Sequence, residues 1–121
     1  MKFTREMTTS LTIRSVSDGT IRIGDDSYDR TIAVTLNTVI DSWPEKPVEE
    51  LVEGDFAALF EAQPEVIVLG TGGDSVFAPR ELMFAMARRG VGFEVMDTKA
   101  AARTFNVLAG EGRQVAAVLY L

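Results

Sequence analysis

The spacing of apolar positions changes along the chain. In the front third they alternate with polar residues: Leu11, Ile13 and Val16 form one set, Ile21 and Ile23 the next. Alternation marks strands that bury one face. Asp18-Gly19 lies between the two sets, and both residues tolerate positive φ, so the pair predicts a tight hairpin. Gly24-Asp25-Asp26 predicts a second turn, followed by Tyr28 and by a further strand over residues 31–36. Val39-Ile40 leads to Trp43-Pro44, with Trp43 expected as a core or edge anchor because large aromatics mostly supply burial. The front of the chain therefore reads as a β-meander.

The stretch from Pro44 to Gly54 is acidic and carries two prolines, which predicts a connector with a turn of helix over residues 48–51. Asp55 is placed to cap a short helix whose apolar face is Phe56, Leu59 and Phe60, ended by Pro64. From there the period lengthens. Val66-Ile67-Val68-Leu69 suits a strand covered on both faces. Gly70, Gly72 and Gly73 allow the backbone to bend, and Pro79 suits the first position of a helix over residues 79–89. In that helix Leu82, Ala85, Met86 and Arg89 share a face, Met83 and Phe84 widen the apolar side, and Gly90 is a left-handed stop. Residues 93–96 form the next strand. Asp97-Thr98 opens a helix through about Leu108, with Ala101, Ala102, Phe105, Leu108 and Ala109 as its buried stripe. Gly110-Glu111-Gly112 ends it, and residues 114–121 close the chain as a strand. A β-rich front followed by β-α-β-α-β predicts an α/β fold with a central sheet, in one domain over residues 1–121.

The 121 residues are 46% apolar, enough for one core. No apolar run approaches the ~20 residues of a membrane-spanning helix, and the first seven residues have no signal-peptide stretch, so a soluble cytoplasmic protein is expected. Acids outnumber bases 18 to 12, which argues against nucleic acid as a partner. The chain contains no Cys and no His. That excludes a thiol nucleophile, a Ser-His-Asp triad and Cys- or His-ligated zinc, and leaves carboxylates, Lys, Tyr, Arg and backbone dipoles for any catalysis.

Gly70-Thr71-Gly72-Gly73 sits between a strand and a helix, where backbone N–H groups can hold an anion. The dinucleotide pattern requires a sixth-position glycine, occupied here by Ser75, and no Gly-Lys-Ser/Thr follows; Asp74 would repel phosphate. Tight backbone packing is the stronger reading of these glycines. Asp97-Thr98 is either a helix cap or part of a cleft beyond the strand ends, where open α/β sheets bind ligands. Arg103 and Asn106 share a helical face with Lys99; Arg103 could meet a carboxylate or phosphate with Asn106 orienting it, although a solvated outer face is the simpler account. The ligand-binding candidates are thus Gly70, Thr71, Gly72, Asp97, Thr98, Arg103 and Asn106, expected to line one hollow at the rim of the sheet. Glu111 and Arg113 are expected to form a structural pair. Asp74, Asp97 and Glu111 show no metal-ligand spacing, and no metal or cofactor is expected.

These residues also carry a resemblance. Gly70-Thr71-Gly72, Met96-Asp97-Thr98, Ala101 through Leu108 and Glu111-Gly112-Arg113 resemble the MTH-type family of unknown function, whose members include the mitochondrial respiratory complex I assembly factor three and the adipogenesis-associated MTH-domain protein. The Asp18-Gly19 hairpin, Tyr28 and Trp43-Pro44 extend the likeness over nearly the whole chain. Ala102 stands where the family often has Cys, and Phe105 where Tyr is common, so neither a thiol nor a phenol role carries over. The resemblance implies three layers: a mixed five-stranded central sheet, helices on one side, a β-hairpin plus helix on the other. It does not by itself imply an enzyme. Together with the missing catalytic side chains, it points to a small interaction or assembly factor with a protein partner. The alternative is a binding domain for a small anionic ligand, possibly an enzyme, near Gly70-Thr71-Gly72.

Overall fold

A computed structural model describes residues 11–121; the expectation for the first seven residues lies outside them. Three antiparallel strands come first: β1 (Ile13–Ser17), β2 (Thr20–Ile23) and β3 (Asp26–Tyr28), in that order in a sheet of their own. The β1–β2 turn uses Asp18 at φ 52° and Gly19 at φ 73°, the paired left-handed geometry expected of that dipeptide. The next strands, β4 (Ile32–Val34) and β5 (Val39–Ile40), do not continue the meander. β4 joins the central sheet instead, antiparallel to the last strand, and all three of its residues are buried. A strand apolar on both faces needs cover on both sides, which the edge of a meander cannot provide.

The acidic connector forms a 3-10 turn at Val48–Glu50 and a second at Glu53–Phe56, which runs into α1 (Ala57–Phe60). Asp55 lies inside the second turn rather than ahead of the helix. Its carboxylate reaches back to accept the Val52 N–H at 2.9 Å and pairs with Lys46 at 2.9 Å. Burial pushes the Asp55 carboxyl up, but the Lys46 ammonium and the Val52 N–H outweigh it and hold the pKa below the ordinary value. Then follow β6 (Val66–Gly70), α2 (Arg80–Arg89), β7 (Gly92–Met96), α3 (Thr98–Gly110) and β8 (Val115–Leu119). Pro79 is the residue before α2, extended at ψ 139°, one position earlier than expected. Gly90 ends α2 at φ 73° as expected.

The central sheet has the order β5-β4-β8-β6-β7, with β6 parallel to both of its neighbours and β4 antiparallel to its own. From β6 the chain moves outward to β7, then back past β6 to β8. Right-handed crossovers taken in opposite directions place their helices on opposite faces. Accordingly α3 and the meander cover one face through Ile13, Ile21, Ala101 and Phe105, packed on Val68, Ala117 and Leu119. The connector, α1 and α2 cover the other through Trp43, Phe56, Leu59, Leu82 and Met86, packed on Ile67, Leu69 and Val118. Trp43 is a core anchor, its ring edge-on to Phe56 at 5.2 Å, and its indole N–H, near Tyr120, has no partner in hydrogen-bonding geometry among the described residues. This is the mixed α/β, three-layer fold that the resemblance implied.

Candidate functional site

The carboxyl ends of β6, β7 and β8 meet at one residue, Thr98, the first of α3. A Cβ on Gly70 would stand 2.8 Å from the Thr98 Cα and 3.0 Å from the Ala101 Cβ, so α3 can lie this close to β6 only over glycine. In the space so opened the Thr98 hydroxyl accepts the Gly72 N–H at 2.7 Å and donates to the Tyr120 carbonyl at 2.5 Å. The Thr98 N–H donates to the Gly72 carbonyl at 2.9 Å, and the Tyr120 N–H to the Gly70 carbonyl at 3.0 Å. One buried side chain thus joins the loop after β6, the start of α3 and the end of β8. Gly72 contributes through its backbone, held at φ 103°.

Thr71 and Asp97 serve the same joint. The Thr71 hydroxyl donates to the Asp74 carbonyl at 2.6 Å and accepts the Val76 N–H at 3.1 Å, closing the loop that leads to α2. Asp97 is the cap of α3, its carboxylate accepting the Ala100 N–H at 2.9 Å.

Above the joint lies a depression of about 310 Å³, bounded by the Ser17-Asp18-Gly19 turn, Gly72, Gly73, Asp97, Thr98, Lys99, Tyr120 and Leu121. Gly70 and Thr71 do not line it. Arg103 and Asn106 do not line it either: with Ile13, Arg14 and Ala102 they border a second depression of about 300 Å³, and Val16 and Lys99 border both. The single hollow expected from the sequence is therefore two, lying along the seam between α3 and β1. Asn106 already has a structural partner. Its side-chain oxygen accepts the Ile13 N–H and its amide donates to the Ile13 carbonyl, both at 2.9 Å, as a neighbouring strand would. The expected Glu111–Arg113 pair is not formed. Gly112, at φ 82°, turns the chain so that Arg113 reaches Glu65 at 3.3 Å, at the entry to β6.

The electrostatics of the first depression do not suit an anion well. Three N–H groups at this helix terminus, those of Gly72, Thr98 and Ala100, already have protein partners and are not available to an anion. Asp18 and Asp97 stand against Lys99. The Tyr120 phenol is directed elsewhere, donating to the Lys46 carbonyl at 2.9 Å, and burial raises its pKa above the ordinary value. Among the described residues no cluster of acidic side chains could hold a metal ion.

A larger groove of about 800 Å³ was not anticipated from the sequence. It runs between the 3-10 turns and α2 and is lined by Glu49, Glu50, Val52, Glu53, Glu81, Leu82, Phe84, Ala85 and Arg88. Met83 and Phe84 do not widen the core face of α2; both point outward. Leu82, Ala85 and Met86 already cover the sheet, and the intervening positions are rotated about 100–200° around the axis. Phe84 is 55% exposed, Val52 across the groove 56%, and Phe77 in the loop before α2 92%. The signal was present in the sequence as a surplus: α2 carries more large apolar residues than one stripe can bury.

The family model for proteins of unknown function DUF498/DUF598 matches residues 13–120. The chain belongs to this family. Among its relatives is the mouse NADH dehydrogenase [ubiquinone] 1 alpha subcomplex assembly factor 3, 33% identical over 71% of this chain and 48% of the mouse protein, so the chain spans about half the length of that relative. The structure of a Bordetella parapertussis protein has 33% identity, a TM-score of 0.85, and coverage of 93% of this chain and 97% of that one. A Bordetella pertussis Mth938-like domain has 27% identity and a TM-score of 0.77, covering 99% of this chain and 89% of that one. The DUF498 fold here is thus Mth938-like. Among the described residues no helix is long and apolar enough to cross a membrane.

Proposed function

We propose that this DUF498 protein is a protein-binding module that acts in assembly, docking its partner on the outer side of α2. The observation that carries this reading is large apolar exposure at α2: Phe84 and Val52, each more than half exposed, face one groove, and Phe77 stands exposed beside Met83 in a separate depression. Large apolar side chains left exposed along one helix mark interaction surfaces. The mouse relative's name as an assembly factor supports the same reading. Affinity purification from the native cell, with wild type beside a Phe77→Ser/Phe84→Ser variant, tests it. The wild type recovers a partner that the double variant loses. Recovery of the wild-type monomer alone, at native expression level, overturns the reading. The site of action is taken as the cytoplasm, and recovery in the membrane fraction on cell fractionation overturns that part.

Lys99 supports a second reading, a small anionic ligand, because it borders both depressions along the α3–β1 seam, with Arg103 beside it in the second. A thermal-shift screen with phosphorylated and carboxylated metabolites tests it. Stabilisation by one of them that Lys99→Ala or Arg103→Ala removes establishes the site; no stabilisation across the screen ends it.

A further inference from the structure

The groove beside α2 is acidic as well as partly apolar. Glu49 and Glu50 come from the first 3-10 turn and Glu81 from the first turn of α2, segments about thirty residues apart that the fold brings to one channel. Among the described residues none of the three has an ion-pair partner, and Arg88 is the groove's one unpaired cation. Glu53 pairs with Arg89 at 2.6 Å, and the Arg89 guanidinium lies 3.8 Å over the Phe60 ring. These contacts join the end of α2 to the second 3-10 turn and to α1, at one side of the groove. Between the carboxylates the floor is apolar: Leu82, Ala85 and the ring of Phe84, facing Val52. A channel of about 800 Å³ with apolar floor and acidic rim is complementary to one kind of segment.

We infer that the groove between Val48–Glu50 and α2 receives a basic amphipathic helix of the partner protein, its apolar stripe on Phe84 and Val52 and its Lys or Arg residues on Glu49, Glu50 and Glu81. The inference rests on the docking reading above and specifies the chemistry of the partner. The carboxylates select for charge, and the apolar floor supplies the buried area. Binding weakens with salt, because rim carboxylates are screened.

The probe is a fluorescent helical peptide of leucine and lysine, compared with leucine–glutamine and leucine–glutamate peptides of the same pattern. Affinity is read by anisotropy and location by amide chemical shifts. Two variants carry the same change in net charge: Glu49→Gln/Glu50→Gln/Glu81→Gln in the groove, and Glu61→Gln/Glu94→Gln/Glu111→Gln at exposed positions outside it. The expected result is binding of the lysine peptide, shifts concentrated on residues 48–53 and 79–88, and at least tenfold weaker binding in the groove variant only. Equal loss in both variants, equal binding of the glutamine peptide, shifts elsewhere, or no binding each overturn the inference. The native-partner purification separates this from the docking reading. A partner lost by Phe77→Ser/Phe84→Ser but retained by the groove glutamines leaves docking standing and removes the basic helix. A partner retained by both removes the docking surface as well.

Discussion

Replacing Thr98 by Val keeps the branched shape of the side chain and exchanges its hydroxyl for a methyl group, so it measures what the joint at the strand ends contributes. Thr98 is 2% exposed, and water has no ready access to the groups it leaves. Two hydrogen bonds disappear, from Gly72 N–H at 2.7 Å and to the Tyr120 carbonyl at 2.5 Å. Two net bonds of about 0.5–1.5 kcal/mol each, with a desolvation penalty of about 1–3 kcal/mol for an unpaired Gly72 N–H added, give about 2–6 kcal/mol. Thr98→Ser is the control. It keeps the hydroxyl and loses one methyl group, for about 1 kcal/mol. Equilibrium urea unfolding reads both, as shifts in midpoint at unchanged slope. Hydrogen exchange adds a local reading: the Gly72 amide should lose protection in the Val variant and keep it in the Ser variant. If Thr98→Val lies within about 0.5 kcal/mol of Thr98→Ser, below the net value of one hydrogen bond, the hydroxyl does not hold the three strand ends and the account of the joint is wrong.

Gly70→Ala should destabilise by about 1–3 kcal/mol, because its methyl would meet the Thr98 Cα at 2.8 Å and α3 must lift; a urea midpoint equal to wild type would show that the approach is not tight. Asn106→Ala removes both bonds to Ile13 and should cost about 1–3 kcal/mol, with exchange protection lost first in the meander; uniform loss over the whole domain would contradict a local role. The depressed pKa of Asp55 stabilises the fold above the unfolded value of about 3.9, and this stability is lost as pH falls through the folded value. Asp55→Asn should therefore flatten the acid limb of a stability–pH curve, and an unchanged limb would refute the lowered Asp55 pKa as its cause. Phe84→Ser, at an exposed position, should leave the unfolding midpoint within about 0.5 kcal/mol of wild type; a larger loss would show that Phe84 belongs to the core.

The order of elements was legible in the sequence because each rests on local rules. Alternation marked β1 and β2, Asp18-Gly19 marked their turn, Gly90 the end of α2 and Asp97 the cap of α3. The packing role of the Gly70 region is legible too, since few residue types permit backbone contact. What the local pattern cannot carry is the identity of a partner across space. Asn106 looked like a ligand group because its partner, Ile13, lies 93 residues earlier in the chain. Arg113 looked paired to Glu111 and reaches Glu65 instead. Met83 and Phe84 looked like core because hydrophobicity says that a side chain gains by burial, while only the stacking of layers decides whether anything covers it. The tertiary structure made that decision twice: α3 has both the sheet and the meander to cover it, and α2 has the sheet with only an edge contact to the second 3-10 turn. The outer side of α2 is left bare, and there the apolar surplus collects beside the acidic turn.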